Sequence, residues 1–183
     1  MARYIPNVIT LARIALIPLF AYFLVREAYG VAAPLFALAA LTDFADGYIA
    51  RRYRIASKLG AMLDPIADKL NMFVATIVLA WQELVPLWLA VAIVVRDVVI
   101  VLGALVYRSA IGRLDISPTL LSKLNTLLEF ALLLLVMAVA ARWLDGGTWL
   151  RIGFGVVGAT VVASGTQYAW LWSAKAIVER RSR

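Results

Sequence analysis

The residues best suited to chemistry in this sequence are Asp43, Asp46, Asp64 and Asp68, set within Leu41–Leu70 of a chain that is 64% hydrophobic. If the first pair is helical, Asp43, Asp46, Gly47 and Ala50 fall within a single arc of about 100°, at about 100° per residue. Gly60, Asp64 and Asp68 recur at i, i+4 and i+8, which gives a second helix two carboxylates on one face. Arg51, Arg52, Arg54 and Lys58 mark a short basic turn between them, so the two helices are expected to run antiparallel with their acidic faces close together. Four converging carboxylates repel one another unless cations offset them. Hard oxygen ligands select Mg²⁺, Mn²⁺ or Ca²⁺ over zinc, and a cluster of this size suits two divalent ions clamping a phosphate. Gly47 and Gly60 fit that picture, because a missing side chain lets a pyrophosphate or a neighbouring helix approach the backbone. Interhelical salt bridges with Arg51 and Lys69 are the structural alternative.

The elements that must position these residues are membrane spans. A chain of 183 residues with 64% hydrophobic content is too apolar for a soluble domain of its size. The fold class is therefore an all-α integral membrane protein with six transmembrane helices in one domain over residues 1–183. The expected spans are Pro6–Val25, Gly30–Arg51, Lys58–Trp81, Val85–Tyr107, Thr119–Trp143 and Thr148–Trp172. Of the 18 lysines and arginines, Arg26, Arg142 and Arg151 fall on the odd-numbered exits and Arg96 lies in mid-span, leaving 14 toward the opposite face. The positive-inside bias places both termini, the aspartates and the 108–118 loop in the cytoplasm. The basic tail Lys175–Arg183 is expected to rest on anionic head groups. Cysteine and histidine are both absent, which excludes disulfides, thiol nucleophiles, Cys/His zinc sites and a serine–histidine triad.

Polar residues inside the spans ask for partners. Asn7, Thr10 and Arg13 share one side of the first helix, and a charged Arg13 within a span costs about 2.5–3.5 kcal/mol unless it faces a polar cavity or snorkels to the head groups. Arg96-Asp97 sits near the middle of the fourth span. Adjacent residues do not face each other on a helix, so each is expected to need a separate partner, with Glu129 on the fifth span available to Arg96. Gly155, Ala159 and Ala163 form a small-xxx-small ladder on the last span, expected to let backbones pack closely.

Written out, D-x-x-D-G-x-x-A-R-x8-G-x3-D-x3-D fixes eight residues over 26 positions and resembles the full motif of the CDP-alcohol phosphotransferase family, with no position departing from the pattern. The resemblance implies that a CDP-linked substrate, CDP-diacylglycerol, loses CMP to an attacking alcohol with the help of two divalent cations, Mg²⁺ or Mn²⁺. Asp43, Asp46, Asp64 and Asp68 would hold the ions, and Asp68 would also act as general base. Gly47, Ala50, Arg51 and Gly60 would cradle the cytidine diphosphate, with Asn7, Thr10 and Arg13 beside the nucleotide. It also implies a homodimer; the expected location is a bacterial inner membrane or its equivalent, with the active site at the cytoplasmic face that the basic residues select.

The acceptor is sought among Arg96, Arg108, Arg113, Lys123 and Asn125. The run Ser122-Lys123-Leu124-Asn125-Thr126 resembles the branch of the family that makes cardiolipin from phosphatidylglycerol. The glycerol-3-phosphate branch tends to carry a second lysine in place of Asn125, and a dianionic phosphomonoester does want one more cation than a phosphodiester. The implied acceptor is a glycerol-headgroup lipid, with glycerol 3-phosphate as the alternative. A transporter or a non-catalytic scaffold would also be membrane-embedded, but four aspartates clustered at one end do not line a path across a bilayer.

Overall fold

Long apolar runs with few breakers favour helix, and in a computed structural model of the chain the described residues form six helices and no strand. The structure describes residues 16–53, 58–111 and 119–181; within them the side chains of 43–53, 58–68, 104–111, 169 and 172–181 lie outside the description. The helices are α1 (Leu16–Val25), α2 (Tyr29–Tyr53), α3 (Lys58–Trp81), α4 (Leu87–Ile111), α5 (Leu120–Ala140) and α6 (Gly147–Arg181). α3 has the bounds expected from the sequence. α6 runs nine residues past the expected end at Trp172, so the tail to Arg181 has helical backbone. Among the described residues, 120–140 of α5 and 147–168 of α6 are long and apolar enough to cross a membrane.

Two compact units divide the chain. The first contains α1, α2, α3 and the segment Leu133–Gly146; the second contains Val85–Leu132, with α4 and most of α5, and α6. In the first, α2 packs on α3, and Phe20 of α1 stacks on Phe36 of α2 with ring centroids 5.3 Å apart. Gln82 ties three helices together by donating to Leu24 O (2.9 Å) and accepting from the Tyr29 hydroxyl (3.2 Å). In the second, α4 packs on α6 around buried Leu89, Ile93, Val157 and Val161.

Three helix ends use one device. Glu27 (φ 58°), Glu83 (φ 60°) and Arg142 (φ 61°) adopt the left-handed conformation. At each, paired backbone bonds close a Schellman motif: Glu27 N to Leu24 O with Ala28 N to Phe23 O, Glu83 N to Ala80 O with Leu84 N to Leu79 O, and Arg142 N to Val139 O with Trp143 N to Ala138 O. Glycine is the usual residue there, since a Cβ in this conformation costs about 1–2 kcal/mol. These turns instead carry charges, and the exposed Trp81, Trp88, Trp143 and Trp149 lie within seven residues of Glu83 or Arg142 in sequence. That pairing of charge and indole suits a bilayer boundary.

The small-residue ladder takes a different place from the expected one. Gly155, Ala159 and Ala163 are exposed, and a Cβ on Gly155 would meet no described atom within 4 Å. The packed face of α6 is the one that carries Val157, Gly158, Val161 and Ser164. There a Cβ on Gly158 would lie 2.8 Å from the Trp88 ring. Four-residue spacing of small residues identifies a possible contact face, while burial of the adjacent β-branched residues decides which face is used.

Candidate active site

In the first unit, α2 and α3 each bury a stripe that runs in register to the aspartates. On α2 the buried Ala32, Phe36 and Ala39 continue, at steps of three and four, into Asp43, Asp46, Gly47 and Ala50. On α3 the positions of Asp64 and Asp68 continue into Asn71, Ala75 and Leu79, all buried. Both helical backbones are unbroken through these positions, so the shared-face arithmetic holds for each helix. The side chains of Asp43, Asp46, Asp64, Asp68, Ala50 and Arg51, and whatever approaches Gly47 and Gly60, lie outside the described residues. Asn7, Thr10, Arg13 and Arg113 lie outside them altogether.

The stripe on α3 contains a group that sequence reasoning passes over. Asn71 is 6% exposed, and its Oδ1 has no hydrogen-bond partner. The signal was available, because Asn71 follows Asp64 and Asp68 at i+7 and i+3. Thr76, fully buried, also leaves its hydroxyl oxygen without a partner. Among the described side chains no three His, Cys, Asp or Glu residues come together, and the four aspartates are not among those side chains. The donor chemistry nevertheless fits Mg²⁺ or Mn²⁺. The candidates are hard carboxylate oxygens, and the buried stripe that continues from two of them adds a neutral carbonyl oxygen with no protein partner.

The second unit holds the acceptor candidates Arg96, Arg108, Lys123 and Asn125, and it uses two of them internally. Arg96 is 7% exposed and spreads its guanidinium over three helices. Nη1 donates to Asp97 Oδ1 (2.6 Å), Nη2 to Ser122 Oγ on α5 (2.6 Å) and Nε to Ser164 Oγ on α6 (3.3 Å). This corrects the expectation that adjacent Arg96 and Asp97 each need a separate partner. The backbone positions diverge by about 100°, but the long arginine side chain folds back to its neighbour and forms the ion pair. Glu129 is buried on the stripe of α5 that also carries Ser122 and Asn125.

Asn125 is also set differently from a surface group that greets a substrate. It is 0% exposed, and its Oδ1 accepts from the Thr160 hydroxyl of α6 (2.8 Å), while Nδ2 has no partner. The spacing Ser122, Asn125, Glu129 marks an inward stripe that the sequence alone left ambiguous. Lys123 is exposed, and Arg108 has helical backbone in α4 with its side chain outside the described residues.

Against known proteins, a family model described as CDP-alcohol phosphatidyltransferase matches residues 3–177. The chain is 37% identical over 179 residues to a cardiolipin synthase (CMP-forming)/mitochondrial hydrolase fusion protein of Schizosaccharomyces pombe, covering 90% of this chain and 30% of that protein. It is 30% identical over 180 residues to the cardiolipin synthase (CMP-forming) of Homo sapiens, covering 90% and 60% respectively. It is 32% identical over 175 residues to the CDP-diacylglycerol–glycerol-3-phosphate 3-phosphatidyltransferase of Bacillus subtilis, covering 84% and 90%. The chain thus spans less than two thirds of either of the first two.

Proposed function

The chain belongs to the CDP-alcohol phosphatidyltransferase family, and from that premise we propose that it transfers the phosphatidyl group of CDP-diacylglycerol to phosphatidylglycerol, giving cardiolipin and CMP. The observation that carries the reading is the eight-residue motif lying at the ends of two buried stripes, inside the segment the family model matches. In the proposed reaction Asp68 takes the proton from the free glycerol hydroxyl of the acceptor. The hydroxyl oxygen bonds to the lipid-side phosphorus, the pyrophosphate P–O bond breaks, and CMP leaves with the electron pair. Asp43, Asp46, Asp64 and Asp68 would hold two divalent ions, Mg²⁺ or Mn²⁺, which when bound supply positive charge to the pyrophosphate oxygens. Gly47, Ala50, Arg51 and Gly60, with Asn7, Thr10 and Arg13, would hold the cytidine diphosphate and keep it in line with the incoming hydroxyl.

Lys123, Arg108 and Arg113 are proposed to receive the acceptor phosphate. Arg96 and Asn125 serve the same end indirectly, by fixing α4, α5 and α6. The site belongs at the cytoplasmic side of a six-span protein with both termini in the cytoplasm. The exposed apolar faces of the helices support immersion in lipid. A homodimer in a bacterial inner membrane or its equivalent completes the reading.

A second acceptor, glycerol 3-phosphate, is favoured by one observation. The Bacillus subtilis phosphatidyltransferase is matched over 90% of its own length. The test offers purified protein both acceptors with radiolabelled CDP-diacylglycerol and Mg²⁺. Cardiolipin as the main product supports the first reading, and phosphatidylglycerophosphate with no cardiolipin replaces it with the second.

A further inference from the structure

We propose that Asn71 is a fifth, neutral oxygen ligand of the metal centre, its Oδ1 binding the divalent ion that Asp68 holds. The inference rests on the metal-dependent reading above and adds a residue outside the motif. Its starting point is a cost. A buried carbonyl oxygen without a hydrogen bond has lost its water and gained nothing in return. Asn71 is 6% exposed and its Oδ1 has no partner. Leucine or valine would fill such a position without that penalty, so an amide kept there calls for a ligand that completes it.

Register says which ligand. Asn71 stands three residues after Asp68 and seven after Asp64, within the arc of about 60° that those three positions share. Side chains on a helix lean toward its N-terminus, so the amide of Asn71 lies over the turn that carries Asp68. Charge points to the same ligand. Mg²⁺ and Mn²⁺ want about six oxygen ligands each, and two ions with four carboxylates are already neutral before a pyrophosphate arrives. A fifth carboxylate would repel the substrate, whereas an amide oxygen fills a coordination position without adding negative charge. Thr76, the other buried side chain without a partner among the described residues of this unit, stands about 80° away from the Asp68 position and two turns further along α3, and so does not compete for this role.

The test is Mn²⁺ binding to the detergent-solubilised full chain, read by electron paramagnetic resonance of free Mn²⁺ without substrate, alongside thermal melting in chelator. Asn71→Leu is expected to raise the Mn²⁺ dissociation constant about tenfold or more while the metal-free melting temperature stays level or rises. Asn71→Asp retains an oxygen at the same place and is expected to bind Mn²⁺ at least as tightly as the parent. Equal Mn²⁺ affinity in Asn71→Leu and the parent overturns the assignment while leaving the aspartate site intact. Loss of affinity in Asn71→Asp together with a lower metal-free melting temperature in Asn71→Leu also overturns it, because the amide is then a packing element. If the parent binds no Mn²⁺, the metal-dependent reading itself has failed, and this assignment with it.

Discussion

In the unit built on α4, α5 and α6, each nitrogen of the buried Arg96 has a protein partner, and those partners come from three helices. In the unit built on α1, α2 and α3, buried Asn71 and Thr76 each keep an oxygen with none. Both units put polar groups into apolar surroundings, where an unmet group costs about 1–3 kcal/mol. One meets most of that cost with its own side chains and thereby locks its helices. The other pairs Gln82 across its helices but leaves Asn71 unmet on the stripe that leads to the aspartates and Thr76 unmet beside it. Internal pairing is the mark of a scaffold, and an unmet oxygen beside candidate ligands is the mark of a site that a ligand completes. Asn125 Nδ2 and Gln167 Oε1 are unpartnered in the second unit as well, but no aspartate of the motif shares their helices.

Substitutions can break this comparison from either side. The largest effect is expected at the aspartates: Asp43→Asn, Asp46→Asn and Asp64→Asn should each lower turnover by about a hundredfold or more and weaken Mn²⁺ binding about tenfold or more, with thermal stability unchanged in chelator. Asp68→Asn should reduce turnover more than it weakens CDP-diacylglycerol binding, because a base acts in the transition state. Near-parental activity in any of the first three would remove the two-metal assignment.

The second unit should fail in the opposite sense. Arg96→Met is expected to lower stability by about 1–3 kcal/mol, since Ser122, Ser164 and Asp97 lose their common partner. Mn²⁺ affinity should stay at the parental value. Asn125→Lys, which from sequence reads as a way to recruit glycerol 3-phosphate, should instead destabilise the protein, because it buries an unpaired charge against Thr160. Melting curves of both variants check this, and an Asn125→Lys protein that is stable and switches acceptor would return Asn125 to the substrate surface. Lys123→Ala should act on substrate alone, raising the apparent acceptor KM by about tenfold through loss of one charge-assisted contact. The smallest effect is a gain: Glu83→Gly should stabilise by about 0.5–1 kcal/mol, as glycine relieves the left-handed turn and gives back part of that in chain entropy.

Helix placement was largely legible, because apolar runs of about 20 residues leave few alternatives. α3 starts and ends where the sequence puts it, and the two aspartate pairs fall on helices as their spacing requires. The turns were not legible in the same way, since Glu27, Glu83 and Arg142 carry a conformation that glycine usually signals. Periodicity also cannot tell which of two small or polar faces is buried. Gly155, Ala159 and Ala163 look like a packing ladder and are exposed, while Asn125 looks like a surface group and is buried. Arg96–Asp97 defeats a rule about backbone positions through the reach of one long side chain.

The most direct test of the central claim is release of CMP from CDP-diacylglycerol, measured with the purified full chain, phosphatidylglycerol and Mg²⁺ and repeated with Asp64→Asn and with chelator. Metal-dependent phosphatidyl transfer predicts CMP and cardiolipin in equal amounts from the parent, and neither from the variant or the chelated enzyme. CMP release that survives both Asp64→Asn and metal removal would contradict it.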